Sequence, residues 1–452
     1  MATYKWKNMA IICLGSFVGA MDLTIVNIAL PRLSQAFRSE PTSVLWVQVA
    51  YLLVSTGLMF ALGGLGDLVG RKRVYVLGLG VFSLGLGLCA LAPNLGLLIV
   101  FRLVQAVGQA MEVSTSTAIL TAAFPSQERG KAVGILSSVV AAGLGIGPAI
   151  GGSLLDVLDW PAVFYMRLPL AVAATGLAWG LLREEPGAVG RGPRAFDLPG
   201  AIALFLGLGS LLVWVNQGPR LGWTSLPSLA LAAFTLLALG VFGAVERRAV
   251  RPVLELGLFR HRLFAFASVS LILYFAALPF FSFLAPFYFI QGVGFSSSQA
   301  GLWLAMFPIS RVLLAAPSGW LSDRIGSRLP CSLGMVLVAI GLFFLGRLGP
   351  APSPLGLALA MGTMALGSAA FGSPNTSAIM GSVPPDRLGT ASALVATGRQ
   401  VGQALGMAAA GSVFAYRQGV WLDRLPSGGG EAPAMVYSFA DSLSLAAVVA
   451  LV

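Results

Sequence analysis

Apolar residues in this chain come in long runs, separated by short polar or Gly/Pro breaks. The runs centre near residues 9–31, 44–65, 73–93, 96–123, 131–157, 162–182, 198–215, 227–245, 264–290, 298–319, 329–347, 355–380, 389–415 and 436–452. About 20 apolar residues in a helix span the hydrocarbon core of a bilayer, and only helices or closed barrels satisfy their backbone there. The pattern predicts an all-α polytopic membrane protein of about fourteen transmembrane helices.

Basic residues mark alternate breaks. Lys5 and Lys7, Arg71 to Arg73, Arg129 and Lys131, and Arg183 with Arg191 and Arg194 begin the series. Arg247 to Arg262, Arg324 with Arg328, and Arg387 continue it. Positive charge collects on cytoplasmic loops. The expectation is a multi-pass protein of the inner (cytoplasmic) membrane with its N-terminus inside. The first run lacks a small-residue cleavage site and reads as a retained helix. The last run stops at Val452, so the final helix reads as short or truncated.

A repeat lies inside this pattern. Gly63-Gly-Leu-Gly-Asp67-Leu-Val-Gly70 follows the second run, and Gly319-Trp-Leu-Ser-Asp323-Arg-Ile-Gly326 follows the tenth. Both read G-x-L-x-D-x-x-G, at an offset of 256 residues. Six runs on each side of a two-run insert explain that offset. The layout is a six-helix bundle over 1–183, a linker with two inserted helices over 184–251, and a second six-helix bundle over 252–452. Parallel repeats around a midplane site are a transporter architecture. Each copy reads as a tight turn whose Asp caps a helix or pairs with a neighbouring cation, as Asp67 would with Arg71. Such contacts can break when the two halves rock. A single copy would read equally well as a solvated basic turn.

Composition narrows the class. Of 452 residues, 57% are hydrophobic and 10% charged, against about 25% charged in soluble domains. That excludes a globular enzyme with one anchor. The net charge of +11 suggests nucleic acid until its placement on alternate loops is seen. No G-x-x-x-x-G-K-S/T loop occurs, so no nucleotide is expected as fuel. Cys13, Cys89 and Cys331 have no metal or disulfide spacing, and no cofactor is implied. The lone His261 sits in a loop among arginines.

The candidate chemistry starts at Asp22. It lies inside the first run, with no Lys or Arg within two helical turns. A charge at mid-bilayer costs about 3 kcal/mol on insertion scales. Such an acid faces protein or water, or carries a proton, which would make it the core of a proton-driven machine. The alternative is an Asp that only hydrogen-bonds a neighbouring helix. Arg102, well inside the fourth run, stays charged and can hold water or carboxylates by its rigid fork, unless it snorkels. Glu112 lies ten residues further, about 15 Å along the axis and about 80° round it. It would share proton or cation duty with Asp22, or make a polar contact among Ser114, Thr115 and Ser116.

Gly143, Gly147 and Gly151 lie one turn apart, with Gly152 adjacent and Pro148 to bend the helix. This face predicts close packing, or a sliding seam that seals against proton leak. The ninth run carries Tyr274, Phe275, Phe280, Phe281, Phe283, Phe287, Tyr288 and Phe289, with Trp303 and Phe307 nearby. Such a wall suits flat, lipophilic cations through stacking and cation–π contact. For most of these rings a lipid-facing position is the plainer reading. Asn27, Gln105, Asn375, Arg399 and Gln400 complete the candidate substrate cavity.

These residues carry a resemblance. Gly63-x-Leu-x-Asp67-x-x-Gly70-Arg71-Lys72 resembles the signature loop of the major facilitator superfamily. Arg102-Leu-Val-Gln105-Ala-Val-Gly108 resembles its fourth-helix motif, and Gly143 to Gly152 its antiporter motif. Asp22-Leu-Thr-Ile-Val-Asn27-Ile-Ala-Leu-Pro31 is similar to the first-helix motif of the fourteen-helix drug:proton antiporters. Pro252 to Phe264 also resembles that subfamily. The resemblance implies two six-helix bundles with two inserted helices, alternating access, a part for Arg102 in proton relay, and gating at Gly63–Lys72 and at Gly319, Asp323, Arg324 and Gly326. It implies proton-driven efflux of lipophilic, cationic drugs or toxic compounds. Its partners would be those substrates, protons and the bilayer. A lipid or lipid-like metabolite exporter on the same fold, and a non-transporting sensor or scaffold, are the alternatives. Two features depart from the family. The offset of 256 places Leu278 opposite Asp22, so proton work should be one-sided. Arg167 stands where the family usually has a neutral polar residue, and it and Arg311 would favour anionic or zwitterionic substrates.

Overall fold

The computed structural model describes residues 2–125, 128–182, 198–247, 256–384, 388–424 and 431–451. Among the described residues, fourteen long helices occupy the predicted runs. In the first half they are α1 (Ala2–Ala36), α2 (Trp46–Val69), α3 (Arg71–Ala90), α4 (Leu95–Ala123), α5 (Arg129–Val157) and α6 (Leu168–Leu181). Then come α7 (Leu198–Leu221) and α8 (Leu226–Glu246). The second half contains α9 (Arg262–Phe287), α10 (Ser297–Ile325), α11 (Arg328–Gly346), α12 (Pro354–Gly381), α13 (Leu388–Arg424) and α14 (Glu431–Leu451). Eleven helices among the described residues are long and apolar enough to cross a membrane. Helix α7 is described as an apolar stretch over Ile202–Gly218, and α10 and α13 carry Arg311 and Arg399 within their spans. The linker Arg183–Arg194, residues 248–255 and Arg387 lie outside the described residues.

Both signature turns are shorter than expected. Helix α2 continues to Val69 and α10 to Ile325, so most of each motif is helical. Only Gly70 (φ 113°) and Gly326 (φ 82°) break the chain, at equivalent places in the repeat. A positive φ is open to glycine at little cost, which is why the reversal can be one residue long. Asp67 and Asp323 therefore lie on helices. Their side chains, and the position of Gly63 within its surroundings, are outside the described residues.

Two compact units emerge from the packing: Met1–Ser39, Ser43–Gly209 and Thr235–Val253 in the first, and Glu40–Thr42, Ser210–Phe234 and Leu254–Val452 in the second. In the first unit α1 packs on α5, α3 on α4, α2 on α4 and α3 on α6. In the second, α9 packs on α13, α11 on α12, α10 on α12 and α11 on α14. These are the same four pairings, eight helices later. Glycines make the closest approaches. A Cβ at Gly85 would lie 2.6 Å from Gln105 Cα, and one at Gly341 would lie 2.7 Å from Met364 N. Gly143, Gly147 and Gly151 of α5 press on Phe17, Thr24 and Ile25 of α1. Their counterparts Gly398, Gly402 and Gly406 of α13 press on Leu271, Ile272 and Ala276 of α9. Sequence reading passed over that second stripe, although its four-residue spacing was visible.

Helix α4, which carries the polar chemistry, begins at an N-cap. The Asn94 side-chain oxygen accepts from Leu97 N at 2.9 Å. Asn94→Ala should cost about 1 kcal/mol, read as a lowered thermal midpoint in detergent. Asn94→Ser should keep most of the stability. Equal loss in both variants would show that the cap is not the cause.

Candidate functional site

One face of α4 is polar through the middle of the helix. Arg102, Gln105, Gln109 and Glu112 follow one another at three- and four-residue steps, so they share that face. It meets α1 at Ser16, Gly19 and Asp22. The close approach at Gly19 leaves room for the Gln109 amide, which a Cβ there would strike at 2.6 Å.

Asp22 is fully buried, and so are Arg102 and Arg167. Arg102 Nη1 donates to Asp22 Oδ2 at 2.7 Å and to Gln105 Oε1 at 2.7 Å. Its Nη2 reaches Gln48 Oε1 at 2.9 Å, and its Nε reaches the Val47 carbonyl at 3.2 Å. The guanidinium lies 3.9 Å from the centre of the Tyr51 ring. Gln105 Nε2 donates to Asp22 Oδ1 at 3.0 Å. Arg167, just before α6, pairs with the same Oδ1 through Nη1 and with the Val163 carbonyl through Nε at 3.0 Å. Asp22 thus sits between two guanidiniums, 80 and 145 residues away in sequence. Removing one partner of such a buried pair leaves the other uncompensated, at about 3–5 kcal/mol.

Glu112 is also buried, in different company. Ser16 Oγ donates to its Oε1 at 2.8 Å and Gln109 Nε2 to its Oε2 at 3.2 Å. Both partners are neutral. Among the described residues no cation pairs with Glu112.

Several expectations need correction. Asp22 is isolated only in sequence; the fold supplies two cations. Gln105, placed among the cavity candidates, hydrogen-bonds Arg102 and Asp22. Arg167, expected to favour anionic or zwitterionic substrates, pairs with Asp22 through Nη1, and its buried Nη2 has no hydrogen-bond partner among the described residues. Most of the aromatic run is not lipid-facing: Phe275, Phe280, Phe281, Phe283, Phe287, Tyr288 and Phe289 are buried. Several of these rings make ordinary core contacts, as Tyr288 does in stacking on Phe439 at 4.3 Å.

The remaining candidates are dispersed. Asn375 is buried and donates to the Ala267 carbonyl at 3.0 Å. Asn27 is buried with its Oδ1 unpaired among the described residues. Trp303 and Gln400 are half-buried, and Arg399 is exposed. Arg71 and Lys72 are half-buried beside the Gly70 turn, and Arg324 stacks over Trp320 at 3.9 Å. Pro148 lies within α5, and Gly152 is buried. Sequence reading missed Ser16, Gln48, Tyr51 and Gln109. The polar spacing along α4 could have pointed to Gln109; nothing local pointed to the others.

Comparison with known proteins agrees with this architecture. The Major Facilitator Superfamily family model matches residues 12–296 and 280–422. The riboflavin transporter RibZ of Clostridioides difficile is 35% identical over 91% of this chain and 88% of its own length. The multidrug resistance protein Stp of Mycobacterium tuberculosis is 32% identical over 89% of this chain and 74% of its own. The crystal structure of the POT family transporter PepTSo superposes with a TM-score of 0.70 at 14% identity, covering 98% of this chain and 96% of that one. With its helix order, its repeated packing and these relatives, the chain belongs to the Major Facilitator Superfamily of membrane transporters.

Proposed function

We propose that this protein is a proton-coupled exporter of lipophilic aromatic compounds in the cytoplasmic membrane, with its N-terminus inside. The observation that carries the reading is the pair of buried acids on one polar seam between α1 and α4. Glu112 has only neutral donors and is the first proton acceptor. Asp22 has its charge compensated by Arg102 and Arg167, and takes a proton only when those guanidiniums are drawn away. Proton arrival then changes which arrangement of the seam is favoured, because a ligand shifts an equilibrium by its differential affinity for the two states. The glycine contact of α5 on α1 lets the helices move past one another without exposing the acids. The turns at Gly70 and Gly326, with Arg71, Lys72 and Arg324, act as gates. The resistance named for Stp supports export, and the riboflavin named for RibZ is a flat aromatic molecule.

The test is transport in proteoliposomes with an imposed proton gradient, using riboflavin and ethidium as fluorescent substrates. Coupling energies of about 1–3 kcal/mol correspond to about 5–150-fold, so Glu112→Gln should lower gradient-driven transport by a factor in that range. Downhill exchange of the same substrate should continue. Undiminished uphill transport by Glu112→Gln would remove Glu112 from the proton path. A wild-type rate indifferent to the gradient would sink the antiport reading.

A further inference from the structure

The first unit carries a cavity whose lining residues the proton seam does not use. Helices α3 and α6 run antiparallel past one another. A Cβ at Gly87 would lie 3.8 Å from Leu168 Cδ2, and the hydroxyls of Ser83 and Thr175 are 3.3 Å apart. Three residues back along α3, a Cβ at Gly80 would still lie 3.9 Å from Thr175 Cγ2. Beyond Thr175 the pair opens. Gly176 and Gly180 of α6 have nothing within 4 Å of a would-be Cβ. Where the helices part, Lys72, Arg73, Val76 and Leu77 of α3 and Trp179 of α6 line a cavity of about 420 Å³.

The lining is ordered by chemistry. Lys72 and Val76 are four residues apart, and so are Arg73 and Leu77. Each cation therefore stands one helical turn from an apolar side chain on the same side of α3. The cations lie at the Gly70 end of the helix and the apolar residues deeper in the span. Val76 is buried, whereas Leu77 is 57% and Trp179 72% exposed, so the cavity opens away from the core of the unit. In a bilayer that opening meets lipid. Tryptophan is enriched at the level of the headgroups, and Trp179 lies near the α6 terminus on the same side as the two cations. The cavity thus has a charged end at the membrane surface and an apolar end below it.

We propose that this cavity binds an anionic phospholipid of the cytoplasmic leaflet. Lys72 and Arg73 hold its phosphate, the lysine as a point charge and the arginine through paired N–H donors. Val76 and Leu77 take the start of an acyl chain, and Trp179 covers the glycerol level. Charge selects this occupant: two neighbouring cations attract a lipid with a net negative headgroup, whereas the choline of a zwitterionic lipid offsets the attraction. A soluble phosphate would leave the apolar half of the lining unused. The volume falls within the range of about 300–1,000 Å³ typical of small-molecule sites. The choice of leaflet rests on the orientation proposed above; the site itself does not.

The experiment is tryptophan quenching in the full-length protein reconstituted into phosphatidylcholine vesicles. Part of the lipid is replaced by phosphatidylglycerol brominated high in its acyl chains, or by phosphatidylcholine brominated at the same carbons. Bromine quenches only the indoles it touches. At equal mole fraction brominated phosphatidylglycerol should quench the wild type more strongly. Trp179 is one of nine tryptophans, and the excess quenching should disappear in Trp179→Phe. A cation beside anionic lipid contributes about fivefold in affinity. Lys72→Gln and Arg73→Gln should therefore each move the phosphatidylglycerol titration about fivefold to higher mole fraction. Arg260→Gln/Arg262→Gln removes two exposed cations elsewhere and should leave the titration in place. The comparison of the two lipids on the wild type needs no variant to fold. Equal quenching by both lipids would reduce the occupant to ordinary boundary lipid and overturn the proposal. So would excess quenching that survives in Trp179→Phe, an unmoved titration in both single-cation variants, or an equal shift in the control. No proton gradient or transported substrate enters the measurement, so the lipid site stands or falls apart from the coupling mechanism.

Discussion

Asp22→Asn should both destabilise the protein and stop uphill transport. The substitution keeps size and most hydrogen bonding but leaves Arg102 and Arg167 buried with no counter-charge. Breaking a buried pair in this way costs about 3–5 kcal/mol, and here two cations lose the same anion. Thermal unfolding in detergent should show a large drop in midpoint. Adding Arg167→Gln to Asp22→Asn should recover part of it, because one of the stranded charges is then gone. The cycle of single and double variants isolates that coupling. Transport should not recover, because the acid is still missing. A neutral variant that melts like the wild type and pumps at full rate would end the case for this cluster as structural keystone and as proton site.

Gly406→Ala should destabilise the second unit, against its helix propensity. Alanine is favoured over glycine in a helix interior by about 1 kcal/mol. At Gly406, however, the added methyl would run into the backbone carbonyl of Ala276 on α9, with the Ala276 Cα 2.7 Å away. Backbone cannot swing aside as a side chain can, so α9 and α13 must separate. Overpacking of this kind costs about 1–3 kcal/mol, which exceeds the propensity gain. Gly372→Ala in α12 is the control: nothing lies within 4 Å of its would-be Cβ, so it should be neutral or slightly stabilising. Thermal midpoints of the two variants, measured side by side, decide the matter. Equal midpoints would mean that the α9–α13 contact is looser than described.

The apolar runs foretold the helices because length and apolarity are local properties, and the bilayer demands both. The repeat was legible for a similar reason: Gly70 and Gly326 sit in matching octapeptides, and both take the positive φ that a one-residue reversal requires. The aromatic run was visible as composition, but its orientation was not. A helix buried on every side and a helix facing lipid look alike in an apolar sequence, so Phe281 and Phe287 could not be assigned to the interior in advance.

What the sequence determined by itself was a membrane-spanning helical repeat with acids and arginines inside its spans, because each of those facts needs only residue type and spacing. Only the tertiary structure decided which of those charges meet. Asp22 and Arg102 are 80 residues apart and Asp22 and Arg167 are 145 apart; no local pattern joins them. Packing of α4 and the start of α6 around α1 pairs Asp22 with two cations. Among the described residues it leaves Glu112 with neutral donors, because Coulomb energy depends on distance in space and not along the chain.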